Sequence, residues 1–290
     1  MNQGRGIPRR EFVGAMAAGV GALTLPSCLT ARATNRIAKV GIQLYTVRDV
    51  LKQDFEGTLS RIGAIGYREV EFAGYFDHTP EQVKAALASA GLTSPATHVG
   101  PDNLGKSWDA VVNTAKAVGH EYVIVAWIPD EQRKTIEDWK RIAEQLNQAG
   151  TACKAAGLQF AYHNHNFEFM PIDGQVPYDL LLANTDASLV KLEMDLFWTT
   201  FAGADPLAYF SRTPGRFPLV HVKDMTPKPT PDATPDKVMV DVGKGSIDWK
   251  KIFAQSSVGG IQHYFVEHDQ PADPLASAKA SYDFLHQLEF

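Results

Sequence analysis

Two cysteines in 290 residues leave no material for a disulfide framework. Basic charge is scarce as well. Twenty-eight lysines and arginines face 33 aspartates and glutamates, a formal net charge of −5, so the chain has no electrostatic footprint for nucleic acid. Long apolar runs are also missing: the one near the N-terminus has roughly fourteen apolar residues, short of the ~20 that a membrane-spanning helix needs. What is there, 44% hydrophobic and 21% charged residues, is an ordinary globular composition. The length suits one large α/β barrel domain or two small domains.

The N-terminal run has its own reading. Paired Arg9 and Arg10 precede Phe12, Val13 and a stretch rich in glycine and alanine. This is the pattern of a secretion signal and resembles a twin-arginine signal. Residues 1–28 are therefore expected to be a signal segment and the protein periplasmic. Leu25-Pro26-Ser27-Cys28 also resembles a lipobox, which makes Cys28 a candidate lipid anchor, although Pro26 is an unusual residue beside such a cleavage site. With Cys28 set aside, Cys153 stands alone in a helical pattern and reads as a small core residue. Residues 29–38 form a linker, and 39–290 a catalytic domain.

From residue 39 strand and helix patterns alternate. Strands are expected at 39–46, 67–73, 94–100, 122–129, 157–165, 189–195, 217–225 and 261–269. Between and after them fall eight amphipathic segments, including a single helix over 47–66, a long one from Glu131 to Ala156 and a last one from about Asp273 to Leu288. Gly66, Gly91, Gly119 and Gly157 stand where helices end before the next strand. Eight strictly alternating units predict a single (β/α)8 TIM barrel, in which active sites form at the C-terminal ends of the strands. The loop from Thr226 to Lys237, with four prolines, is one long insertion in that domain.

Those strand ends are rich in ionisable groups: Glu71, His98, His163 and His165, Glu193 and Asp195, His221 and Lys223, then Glu267, His268 and Asp269. Side chains alternate along a strand, so each of the pairs 163/165, 193/195, 221/223 and 69/71 shares one side. Mixed imidazole and carboxylate donors suit one divalent metal such as Mn, Zn, Co or Fe, and buried carboxylates without a cation would repel each other and take up protons.

The segments GYREVEF, YHNHNFEF, EMDLFW, HVKDM, DVGKGSIDWKKIF and FVEHD, in this order, resemble the xylose-isomerase-like barrel superfamily, often called sugar phosphate isomerase/epimerase. The resemblance covers nearly everything after residue 38. Relatives that epimerise ketoses hold one metal with Glu, Asp, His and Glu from strands five to eight. The last three fall on Asp195, His221 and Glu267, and ungapped alignment puts His163 at the first. His165 and Glu168 compete with it as the strand-five ligand. In the epimerases both glutamates also move protons, so the resemblance implies Glu267 as acid/base, with His163, Glu168 and Lys223 as its candidate partners. Lys223 otherwise pairs with Glu193. Gln43, Glu71, His98, Trp127, His165 and Trp198 are candidate substrate contacts, and Phe167 a further stacking surface.

Histidine in strand five resembles inosose dehydratases and lyases acting on 3-keto-glycosides. The implied activity is α-deprotonation of a small-molecule keto-sugar, by elimination or hydration ahead of ketose epimerisation. An endonuclease IV-like nuclease would need more histidine ligands and a basic groove. A non-catalytic sugar-binding lipoprotein is the third class. Gly243-Lys244-Gly245 reads as a turn before a helix capped by Ser246 or Asp248, and no strong phosphate clamp is visible. His78, His120 and His286 read as ordinary surface residues.

Overall fold

A computed structural model of the chain describes residues 35–227 and 233–290. The expected signal segment, the lipobox cysteine and part of the proline-rich loop lie outside the described residues. Eight strands, β1 (Gly41–Gln43), β2 (Glu69–Ala73), β3 (Thr93–Val99), β4 (Tyr122–Val125), β5 (Gln159–His163), β6 (Val190–Asp195), β7 (Leu219–Val222) and β8 (His263–Val266), form a closed barrel. Each pairs in parallel with the next, and β8 closes on β1 through Gly41 opposite Phe265. The protein is a single (β/α)8 TIM barrel, as the alternating pattern predicts. Among the described residues no helix is long and apolar enough to cross a membrane.

The barrel interior is layered by strand alternation. At the bottom, Glu69 on β2 accepts from His263 Nδ1 at 2.8 Å, with Lys39 Nζ 3.4 Å away. Glu69 and Glu71 do share a side, but one strand repeat separates them into different layers, so only Glu71 reaches the upper one. The apolar middle layer is Ala96, Ile124, Ala161, Leu219 and Phe265. A Cβ on Gly41 would stand 2.6 Å from the Phe265 ring, so Phe265 fills space that glycine leaves open. Outward residues such as Val70, Phe72, Phe160, Tyr162 and Leu192 pack under the helices in the main core, where Cys153 is also buried.

Several boundaries differ from the sequence pattern, each for a capping reason. The segment 47–66 is broken at Lys52–Asp54, because the Asp54 carboxylate accepts from Gly57 N and starts a new helix at Phe55–Ile65. The long helix begins at Ile136, where Thr135 and Asp138 form a capping box. A helix over Leu196–Phe201 escapes the periodicity entirely. Asp195, the last residue of β6, caps it by accepting from Trp198 N at 2.9 Å.

Asp224 ties down the turn after β7. Its Oδ1 accepts from Met225 N (2.9 Å) and Ile247 N (3.2 Å), and its Oδ2 from Gly243 N (2.9 Å), Gly245 N (3.2 Å) and Trp249 Nε1 (3.0 Å). The amide concavity of Gly-Lys-Gly is thus filled by an internal carboxylate and offers nothing to a phosphate. Asp248, not Ser246, caps the helix that follows. Asp224→Ala would strip five donors of one buried acceptor. It is expected to lower unfolding free energy by roughly 3–5 kcal/mol, read from urea midpoints; a loss within the error of the fit would refute the role.

Candidate active site

The upper layer converges on His221. Its Nε2 lies 2.7 Å from Glu71 Oε2 and 3.2 Å from Glu193 Oε2, and its Nδ1 lies 2.7 Å from Glu267 Oε2 and 3.2 Å from His163 Nε2. Two groups of donor atoms meet through this ring: Glu71, His98, Glu193 and His221 on one side, and His163, Asp195, His221 and Glu267 on the other.

The two groups differ in how their ligand atoms are engaged. Glu71 Oε2 also accepts from Gln43 Nε2 at 2.6 Å, and His98 Nε2 lies 2.6 Å from Glu193 Oε2 and 3.2 Å from Glu71 Oε2. These Oε2 atoms are therefore engaged by internal donors, while Glu71 Oε1 and Glu193 Oε1 are buried without a hydrogen-bond partner. On the other side, His163 Nδ1 donates to the carbonyl of Ala126 at 3.1 Å, which leaves Nε2 as a lone pair facing the cluster. Asp195 Oδ1 is used by the helix cap, and Asp195 Oδ2 is buried without an aligned hydrogen bond, although Lys223 Nζ stands 3.1 Å away. The buried Asp195 Oδ2, the His163 Nε2 beside His221 and two further ligand atoms, all within 4.8 Å of one another, fit a divalent cation.

Opposite charges are paired throughout the cluster. Burial opposes charge on His221, but the Glu193 and Glu267 carboxylates hold its pKa well above the ordinary value. Burial likewise opposes charge on His98, and Glu71 and Glu193 raise its pKa to about 9. His163 is pushed down by burial and by His221. Lys223 is buried yet held charged, with Nζ 2.7 Å from Glu267 Oε2 and 2.9 Å from Asp269 Oδ1. Its partners are Asp195, Glu267 and Asp269, and not the Glu193 that its sequence position suggested. Glu267 is held well below the usual carboxylate range: burial resists this, but Lys223 and His221 outweigh it.

A pocket of about 760 Å³ opens above this floor. His98, His163, His165, Lys223 and Glu267 line it, with Trp127 at its edge. The other expected contacts are not on its wall. Gln43 and Glu71 are fully buried beneath it, each occupied by the other. Trp198 is 8% exposed and sits behind His165, with ring centres 5.3 Å apart. Phe167 has His165 near-parallel at 5.4 Å and the Arg133 guanidinium 3.5 Å from its ring centre, so it has little face left for a sugar. Glu168 turns away with Tyr162 to the outer side of β5, accepting from Tyr162 Oη at 2.6 Å and from His165 N at 2.9 Å. His120 is no surface residue. It is buried between the Ser94 carbonyl and Tyr75 Oη, and burial lowers its pKa to about 4.

Sequence reasoning left out Asn103, Asp236 and Gln270, and noted Tyr45 and Asp269 only as strand-end residues without a role; all five are on the pocket wall. Asp269 and Tyr45 carried a usable signal, since they follow Glu267 and Gln43 by one strand repeat; Asn103, Asp236 and Gln270 lie on the connections, outside any strand period.

Burial raises the Glu168 pKa to about 7. An acid with a raised folded-state pKa loses native stability as pH climbs through the window between its unfolded value and that number. Relative to wild type, Glu168→Gln is expected to gain up to about 3 kcal/mol between pH 5 and pH 8. Urea unfolding at each pH checks this, and a constant difference would show that Glu168 titrates normally.

The family model described as "Xylose isomerase-like TIM barrel" matches residues 59–288. An inosose dehydratase of Clostridium perfringens is 25% identical over 262 residues, covering 77% of this chain and 86% of the relative. An inosose dehydratase of Lacticaseibacillus casei is 23% identical over 242 residues, covering 73% and 80%. Among solved structures, a sugar phosphate isomerase/epimerase from Parabacteroides distasonis matches with a TM-score of 0.74 at 28% identity, covering 86% of this chain and 98% of that one.

Proposed function

Because the chain belongs to the xylose isomerase-like TIM-barrel family, we propose that it is a metal-dependent enzyme that deprotonates a keto-sugar beside its carbonyl and expels a β-substituent. The observation that carries this is the pocket floor: His163, Lys223 and Glu267 border the pocket directly above the orphaned Asp195 Oδ2. The name of the relatives, inosose dehydratase, points the same way.

His163, Asp195, His221 and Glu267 would hold the ion, which when bound supplies Lewis-acid polarisation of the substrate carbonyl. Glu267 is the base. Its Oε2 is taken by His221 and Lys223, which leaves Oε1 to accept the α-proton. The C–H electron pair then passes into the enediolate. The Lys223 ammonium, fixed by carboxylates on three sides, faces the charge that develops there. Collapse of the enediolate restores the carbonyl and expels the β-substituent with its bonding pair, and the leaving oxygen takes up the proton that the Glu267 carboxyl received. Epimerisation needs a second proton-transferring carboxylate across the ring. The corresponding strand-five residue is His163, whose Nδ1 donates to a backbone carbonyl, and Glu168 faces outward. Elimination is therefore favoured over inversion.

Asp195→Asn keeps the Oδ1 cap but weakens Oδ2 as a donor to an ion. It and His221→Ala are expected to lose bound metal together with at least ~100-fold in kcat, with unchanged far-UV circular dichroism. Full metal occupancy in both variants, by elemental analysis, would end the metal assignment. The order of reactions is tested in heavy water with a 3-keto-glycoside and a free ketose as substrates. Unsaturated product from the 3-keto-glycoside is expected, and rapid epimerisation of the ketose with deuterium at the inverted carbon and no elimination would reverse the order.

A further inference from the structure

We propose that the mouth of the pocket is a second sugar subsite, so that the substrate is a two-ring glycoside whose reacting ring sits on the floor and whose second ring lies against Tyr45 and Trp127. This rests on the reading of the floor given above and adds the substrate class to it. Large apolar side chains exposed to solvent are few. Among the described residues they are Tyr45 (42% exposed), Trp127 (45%) and Met170 (55%), and the first two border this one pocket. Exposed aromatic surface gathered at a cleft marks a binding surface more often than chance placement does.

Both aromatic residues are held in place. Tyr45 follows β1 and Trp127 follows β4, so they rise from separate arcs of the rim. The Arg48 guanidinium stands 4.0 Å from the centre of the Tyr45 ring and donates to the carbonyls of Tyr45 (2.7 Å) and Asp269 (2.8 Å). Trp127 lies between two anchored carbonyls: Ala126 O accepts from His163 Nδ1, and Ile128 O accepts from Arg133 Nε at 2.9 Å. The backbone on either side of each ring is tied to the site before any ligand arrives, which lowers the ordering cost of stacking.

The polar groups around the rings select the ligand. Asn103, Asp236 and Gln270 share the wall with Tyr45 and Trp127. An aromatic aglycone would cover the rings but make no use of these polar groups. A pyranose ring satisfies both, with C–H faces for the aromatic residues and edge hydroxyls for the polar side chains. At about 760 Å³ the pocket is roomier than one six-membered ring requires and lies within the roughly 300–1,000 Å³ of sites that enclose larger ligands.

The test uses probes that need no chemistry: glucose, cellobiose and phenyl glucoside, titrated against the full chain by tryptophan fluorescence and ligand-observed NMR. Cellobiose is expected to bind roughly tenfold more tightly than glucose. That ratio should fall toward one in Tyr45→Ala and Trp127→Ala, whose circular dichroism should match wild type. In turnover, Tyr45→Ala should handle methyl 3-keto-glucoside with little change in KM, while KM for the two-ring substrate 3-keto-cellobiose rises in both variants. Equal affinity for one and two rings, or a ratio unchanged in both variants, would overturn the subsite. Phenyl glucoside binding more tightly than cellobiose would overturn the choice of a sugar ring. The expected binding without turnover of either keto-probe would support the subsite and refute the elimination chemistry, so the two failures are told apart.

Discussion

One imidazole ring, that of His221, stands between two sets of buried carboxylates, and the rest of the site is arranged around it. Its Nε2 faces Glu71 and its Nδ1 faces Glu267, each at 2.7 Å. Carboxylates at both nitrogens favour the protonated ring, so an ion bound on one side would take the place of one ring proton while the other stays on its acceptor. Glu71 is itself immobilised by Gln43 and approached by His98, which places the acceptor for Nε2–H below the pocket and turns Nδ1 toward Asp195, His163 and Glu267. Side chains that look redundant in composition thereby have distinct tasks. Gln43, Glu71, Glu193 and His98 set the orientation of a ring whose other edge meets the groups proposed to hold an ion.

Such a cluster is tolerable only in a stiff frame. Each buried carboxylate would cost several kcal/mol if left without a partner. Here Glu193 is shared by His98 and His221, and Lys223 alone serves three acids. The closed ladder of parallel strands keeps these pairs in register, and the packed layer of Ile124, Leu219 and Phe265 beneath them keeps water from entering below. Asp195 joins frame and site, since one of its oxygens starts a helix while the other faces the cluster.

Floor and rim divide along the architecture. The groups assigned to chemistry sit on or just past strand ends, where the backbone is held on both sides. Tyr45, Asn103, Trp127, Asp236 and Gln270 sit on the connections. Loops can change the shape of the mouth without moving the floor, which is how this architecture serves many substrates.

Much of this was legible in the order of residues. Alternation with period two in the strands and 3.6 in the helices, punctuated by glycine, determined the barrel and put His163, Asp195, His221 and Glu267 at strand ends, and the structure brings these four into one cluster. Cys153 as a core residue was equally readable. Spacing says which side of a strand a residue takes, because the pleat enforces it. It is silent on depth within the barrel and on what stands opposite, because those depend on residues far away in sequence. Only the closed structure could decide that Glu69 belongs to the base and Glu71 to the layer under the pocket, that Glu168 follows Tyr162 outward, and that Lys223 pairs with Asp269. It also decided that His120 is buried against Ser94 and Tyr75. Each of those outcomes is a contact between segments that local pattern does not couple, and burial, which sets the cost of leaving any of these groups unpaired, exists only once the barrel has closed.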